Sequence, residues 1–155
     1  WFDSVAELCR KHDIEAITPD DANTPDIVDR IRALNPDFIF SFYYRNMLTQ
    51  VVLDTAKRGA LNMHGSLLPK YRGRVPVNWA VLRGETQTGA TLHEMVEKPD
   101  AGRLVDQEAV PIGPDDLAVA AVGAATDGEV AQLVQLLHDR GVFGTPRVGS
   151  AGAGI

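Results

Sequence analysis

Asn62 and His64 are the residues of this chain best spaced to do chemistry together. Gly59-Ala60-Leu61 just before them ends an apolar stretch that reads as a short strand. On a strand, residues two apart share a face. An amide donor would then stand beside a group that moves protons near neutral pH, with Leu61 and Met63 turned the other way into packing. The pair suits acyl chemistry, in which an oxyanion is stabilised and a proton removed. Asp100 is the next candidate, in the turn Lys98-Pro99-Asp100-Ala101-Gly102. Ligands of open parallel sheets bind beyond the carboxyl ends of the strands, and both the pair and this turn fall at such ends. A carboxylate there would favour the charged form of His64. The plainer alternative is a turn aspartate bonded to its own backbone.

Lys70, Arg72 and Arg74 alternate in a proline-bounded loop. Read as extended, the loop would point three cations to one side and suit a phosphate or diphosphate. A solvated basic loop is the competing explanation. Phe42-Tyr43-Tyr44-Arg45 carries aromatic surface into a loop and could stack a flat ring, although core packing explains aromatics more often. His12 and His138 end helices, where a cation suits the dipole, and His93 sits inside a strand. None shares metal-ligand spacing with Cys9, so no metal is expected.

The elements that must position these residues alternate between helix and strand. A helix from about Ser4 to His12 opens on a capping box of Ser4 and Glu7, with Cys9 beside Val5 and Leu8 on its core side. A short strand is expected near Ile14–Thr18. Thr24-Pro25-Asp26 starts a second helix with Ile27, Val28, Ile31 and Leu34 on one face. Phe38-Ile39-Phe40-Ser41-Phe42 reads as a strand covered on both sides. Short helices at Gln50–Ala56 and Val75–Leu82 flank the Asn62 strand. Two strands, Thr88–Val96 and Arg103–Ile112, meet at the Asp100 turn, and a long helix opens at Gly113-Pro114-Asp115-Asp116. The pattern is α/β with a mostly parallel sheet.

With 155 residues and 45% hydrophobic content, the chain has enough for one domain with a core. A net charge of −6 argues against general affinity for nucleic acid or anionic membrane. A single cysteine excludes an internal disulfide and suits a reducing, cytoplasmic setting. The chain opens at Trp1 directly before a helix, as a fragment missing its N-terminal part would.

Asn62-Met63-His64-Gly65-Ser66-Leu67-Leu68-Pro69-Lys70-Tyr71-Arg72-Gly73, followed by Pro76, resembles the signature of the 10-formyltetrahydrofolate-dependent formyltransferases. Thr88-Gly89-Ala90-Thr91-Leu92-His93 leading to Asp100-Ala101-Gly102 is similar to their second motif, and the likeness runs from about Trp1 to Leu137. It implies a Rossmann-like fold with flanking helices, lacking the family's first strand and the helix after it. Residues 1–140 would be an incomplete catalytic domain and 141–155 a low-complexity or truncated tail. By the same resemblance Asn62 would stabilise the oxyanion, His64 would act as general acid and base, and Asp100 would tune His64. Asn46, Met47 and Leu48, with Val96, Glu97, Lys98, Pro99 and Asp100, match folate-binding stretches. Arg74 matches a substrate-site arginine, with Lys70 and Arg72 beside it.

Within the family, Phe40–Arg45, His64–Ser66, Lys70–Arg74 and Asn78-Trp79 look like the branch acting on UDP-4-amino-4-deoxy-L-arabinose in lipid A modification and polymyxin resistance. The implied partners are the folate donor and a nucleotide-sugar amine, with no metal, and self-association would use regions outside this sequence. Methionyl-tRNA is the alternative acceptor. A non-catalytic folate or nucleotide-sugar binding fragment is the alternative of another class.

Overall fold

The computed structural model describes residues 5–114. The Ser4 capping box, the helix expected beyond Pro114 and the tail 141–155 lie outside the described residues. Two units are distinguished, residues 5–39 with 44–60 and residues 40–43 with 61–114.

The first unit carries helices α1 (Val5–Lys11), α2 (Pro25–Leu34) and α3 (Gln50–Leu53). Pro25 opens α2 because its fixed φ suits the first helical turn. Asn35 closes it in the left-handed region at φ 50°, donating its N–H to the Arg32 carbonyl. Of the expected apolar face, Val28 is buried while Leu34 stays exposed. Helix α1 buries none of its residues, so Val5 and Leu8 stand in solvent and Cys9 is half-buried rather than in a core. The strand expected at Ile14–Thr18 does not form. Its backbone finds no neighbouring strand among the described residues, and a strand exists only through its ladder. The short helix stops at Leu53, three residues before the expected end.

Asn23 organises the loops of this unit. Its side-chain N–H groups donate to the Asp21 carboxylate (2.7 Å) and the Met47 carbonyl (2.8 Å), and its Oδ1 accepts from the Thr49 N–H at 2.7 Å. Asn46 donates in turn to the Asp20 carbonyl. The backbone at residues 46–49 is thereby tied to the turn at 20–24.

Strands β1 (Ile39–Phe42), β2 (Ala60–His64), β3 (Gln87–Glu94) and β4 (Leu104–Pro111), which apart from Ile39 and Ala60 belong to the second unit, form one sheet in the order β1-β2-β3-β4. The chain passes from β1 to β2 through α3, the kind of crossover a parallel pair needs. The pairs β2–β3 and β3–β4 are antiparallel, so the Rossmann-like sheet is mixed: parallel at its start, a hairpin at its end. Strand β1 contains no fully buried residue, against the expected coverage on both sides, because it ends the strand order among the described residues. Burial peaks instead on β3, where Thr88–His93 are all buried. Leu61, Met63, Leu68, Val77, Ala80 and Leu92 make the core, with Val77 and Ala80 supplied by helix α4 (Pro76–Leu82).

Candidate active site

Register decides which side chains meet. Asn62 stands opposite His93 and His64 opposite Thr91 across β2 and β3, and residues directly opposite in an antiparallel pair share a face. One face of the sheet therefore carries Asn62, His64, Thr91 and His93. The other carries Met63 and Leu92, which are buried. The polar face continues onto β4, where Gln107 opposes Thr91.

The segment after His64 folds back over this face. Thr91 Oγ1 donates to the Ser66 carbonyl (2.6 Å) and accepts from the Leu68 N–H (3.1 Å). The Gln107 amide donates to both Thr91 Oγ1 (2.7 Å) and the Leu68 carbonyl (3.1 Å). Ser66 Oγ donates to the Lys70 carbonyl, closing the turn. Tyr71 is thereby delivered so that its carbonyl accepts from His64 Nε2 at 2.9 Å.

Asp100 arrives from the β3–β4 loop. Because β3 runs against β2, the end of β3 lies beside Leu61 at the start of β2. The convergence does not come from two parallel strand ends, as expected; it comes from a hairpin loop folded across the polar face. Asp100 adopts φ 51°, a left-handed conformation that aspartate tolerates better than most residues. Gly102 lets the loop close, since a Cβ there would overlap the Glu94 carbonyl. Asp100 Oδ2 accepts from the Gly73 N–H at 2.8 Å. Its Oδ1 faces His64 Nδ1 and His93 Nε2, each at 3.5 Å, and all three side chains are largely buried.

Asn62, His64 and Asp100 are thus brought together, and a fourth residue joins them. His93 accepts from Asn62 Nδ2 at Nε2 (3.2 Å) and donates from Nδ1 to the Glu94 carbonyl (2.8 Å). The imidazole rings of His64 and His93 meet edge to face, centroids 6.3 Å apart. Sequence reasoning passed over His93 as an interior strand residue. Only the antiparallel pairing of its strand with that of Asn62, across a connection that contains α4, brings it to the site.

The basic loop differs from its expected form. Residues 68–71 form a turn with Tyr71 at φ 56°, so Lys70, Arg72 and Arg74 do not alternate along an extended segment. Lys70 pairs with Glu85 at 3.3 Å, and Glu85 also accepts from the Tyr71 hydroxyl at 2.7 Å. The Tyr71 hydroxyl, and after it the Lys70 ammonium, hold the Glu85 carboxyl below its usual range. Arg72 and Arg74 are exposed. Of the expected folate-binding residues, Asn46 and Met47 are exposed and Leu48 half-buried in the first unit. Val96, Glu97, Lys98 and Pro99 are exposed on the Asp100 loop of the second. Among the described residues no group of three or more His, Cys, Asp or Glu side chains is arranged to hold a metal ion. No described helix is long and apolar enough to cross a membrane.

Fold and site together define an α/β protein with an amide and a buried imidazole on one sheet face and a carboxylate brought over them by a loop. The sequence matches the formyl transferase family over residues 2–137, and the chain belongs to that family of enzymes. Among solved structures, phosphoribosylglycinamide formyltransferase from Bacillus halodurans matches with a TM-score of 0.75 at 24% identity, covering 91% of this chain and 79% of that one. The Brucella melitensis phosphoribosylglycinamide formyltransferase gives 0.72 at 25% identity, with 87% and 73% covered. A sugar N-formyltransferase from a Shewanella species gives 0.70 at 22% identity, with 86% of this chain covering 51% of that one.

Proposed function

We propose that the chain transfers the formyl group of 10-formyltetrahydrofolate to the 4-amino group of a UDP-linked amino sugar of the UDP-4-amino-4-deoxy-L-arabinose type, in lipid A modification. The observation that carries formyl transfer is the buried contact of His64 with Asp100 beside the Asn62 amide. The neutral amine attacks the formyl carbon, and an Asn62 N–H donates to the oxygen that becomes negative. His64 donates from Nε2 to the Tyr71 carbonyl, which leaves Nδ1 as its basic atom. The amine proton passes to Nδ1, where Asp100 faces the new positive charge, and His64 then returns a proton to the departing folate nitrogen. Collapse of the tetrahedral intermediate breaks the bond to that nitrogen and leaves the formamide. Val96–Asp100 contribute to the folate site, and Arg72 and Arg74 take the diphosphate of the acceptor.

The resemblance of Lys70–Arg74 and Asn78-Trp79 to the amino-sugar branch supports this acceptor, and the two arginines and Trp79 are exposed for it. A second acceptor, phosphoribosylglycinamide, is favoured by the Bacillus and Brucella matches. One assay separates them. The protein is supplied with 10-formyltetrahydrofolate and, in parallel, the UDP amino sugar, phosphoribosylglycinamide or methionyl-tRNA, and the formylated product is detected by mass. Formylation of the UDP amino sugar is expected. Transfer to another amine alone replaces the acceptor, and no transfer to any of them leaves a non-catalytic binding module.

A further inference from the structure

His93 is the buried titratable group to which this chemistry gives no task. It is 2% exposed and directly opposite Asn62 in the β2–β3 register. Its Nδ1 lies 2.8 Å from the Glu94 carbonyl oxygen, which only accepts, so Nδ1 carries the hydrogen. Its Nε2 lies 3.2 Å from Nδ2 of Asn62, which only donates, so Nε2 offers its lone pair. One of the two Asn62 amide hydrogens is therefore spent on His93. With the amide reversed, Asn62 Oδ1 would face that lone pair, and two acceptors would be in contact. The side chain has one satisfied orientation.

We propose that His93 is a positioning residue that locks the Asn62 amide through Nε2, so that the second amide hydrogen is the one held ready for the oxyanion. The proposal rests on the formyl-transfer reading of Asn62. A donor acts on a developing charge most strongly when it need not reorganise as the charge appears. An amide free to rotate about its last torsion would have to be oriented in each turnover. The Glu94 carbonyl sets the His93 tautomer, His93 sets the amide, and the amide meets substrate. Asp100 Oδ1, 3.5 Å from the same Nε2, faces a lone pair there and is left to His64.

Two substitutions and one spectrum test it. His93→Leu keeps bulk but removes the acceptor, whereas His93→Gln returns an oxygen near the position of Nε2. Expected for His93→Leu is a kcat loss of ~10–100-fold, no larger than that of Asn62→Ala, with the KM of each substrate changed less than about twofold. His93→Gln is expected to recover most of the rate. In an Asn62→Ala background, His93→Leu should cost less than about threefold, because the group it orients is gone. Losses that multiply in full, or a His93→Gln variant as slow as His93→Leu, overturn the proposal. Nitrogen NMR of the unaltered protein should show the His93 hydrogen on Nδ1, and an Nε2–H tautomer overturns the proposal whatever the kinetics. If His93→Leu does not fold, the glutamine variant and this spectrum decide. An unaltered protein that transfers no formyl group defeats the reading of the site, while the spectrum still judges the Asn62–His93 bond by itself.

Discussion

Asn62 has two amide hydrogens and, in the proposed mechanism, a use for each. One meets His93, and the other is left for an oxygen that gains charge during reaction. Asn62→Ala is expected to lower kcat about 10²–10³-fold with a modest change in KM, the usual cost of losing one oxyanion donor. Steady-state kinetics with saturating donor check this, and a near-normal kcat would remove Asn62 from the mechanism. At this scale much was legible beforehand. Strand periodicity alone put Asn62 and His64 on one face, and β2 bears that out with Met63 buried on the other. His93 was not legible from periodicity, because its partner lies on another strand 31 residues away. The extended form expected of the Lys70 loop failed for a related reason: the turn at residues 68–71 and the Glu85 carboxylate are both tertiary circumstances.

At the scale of elements, the β3–β4 hairpin and the loop over it hold the site. Gly89 sits where β3 passes β4, and a Cβ there would overlap the Glu108 carbonyl and stand 2.6 Å from Leu67 Cδ2. Gly89→Ala is expected to destabilise the fold by about 1–3 kcal/mol, the range for overpacking a close contact. A chemical denaturation midpoint measures it, and an unchanged midpoint would show that the strands separate freely. The Asn23 clamp makes a different kind of prediction. It holds the backbone at 46–49, which includes the Asn46–Leu48 stretch that resembles a folate-binding segment. Asn23→Ala should raise the KM for 10-formyltetrahydrofolate several-fold, roughly the effect of losing one to two hydrogen bonds that organise a loop, while kcat changes little. Equal losses for donor and acceptor would dissociate Asn23 from the donor site. The missing strand at Ile14–Thr18 teaches the same lesson from the other side: apolar spacing proposes a strand, and only a neighbour makes it one.

For the molecule as a whole, the shifted groups set how stability responds to pH. Glu94 is held below the ordinary 4.5 by the Arg103 guanidinium, and Glu85 by the Tyr71 hydroxyl and Lys70. A carboxyl lowered by folding contributes stability that is present above its unfolded value and lost as pH falls through the folded one. Tyr71 is raised above 10.0 by its bond to Glu85, so its contribution is present below that value and lost as pH rises beyond the folded one. Melting temperature should therefore decline on the acid side below about pH 4.5 and on the alkaline side above about pH 10. Glu85→Gln should flatten both limbs, and a variant whose alkaline limb is unchanged would separate Tyr71 from Glu85. The sequence by itself determined the α/β class, the family motifs and the strand that sets Asn62 beside His64, because side-chain alternation and turn chemistry act over a few residues. The tertiary structure alone decided the antiparallel register that adds His93, the loop that carries Asp100 across the sheet face, and the turn that diverts Lys70 to Glu85. Those depend on which backbones lie side by side, and local spacing does not carry that information.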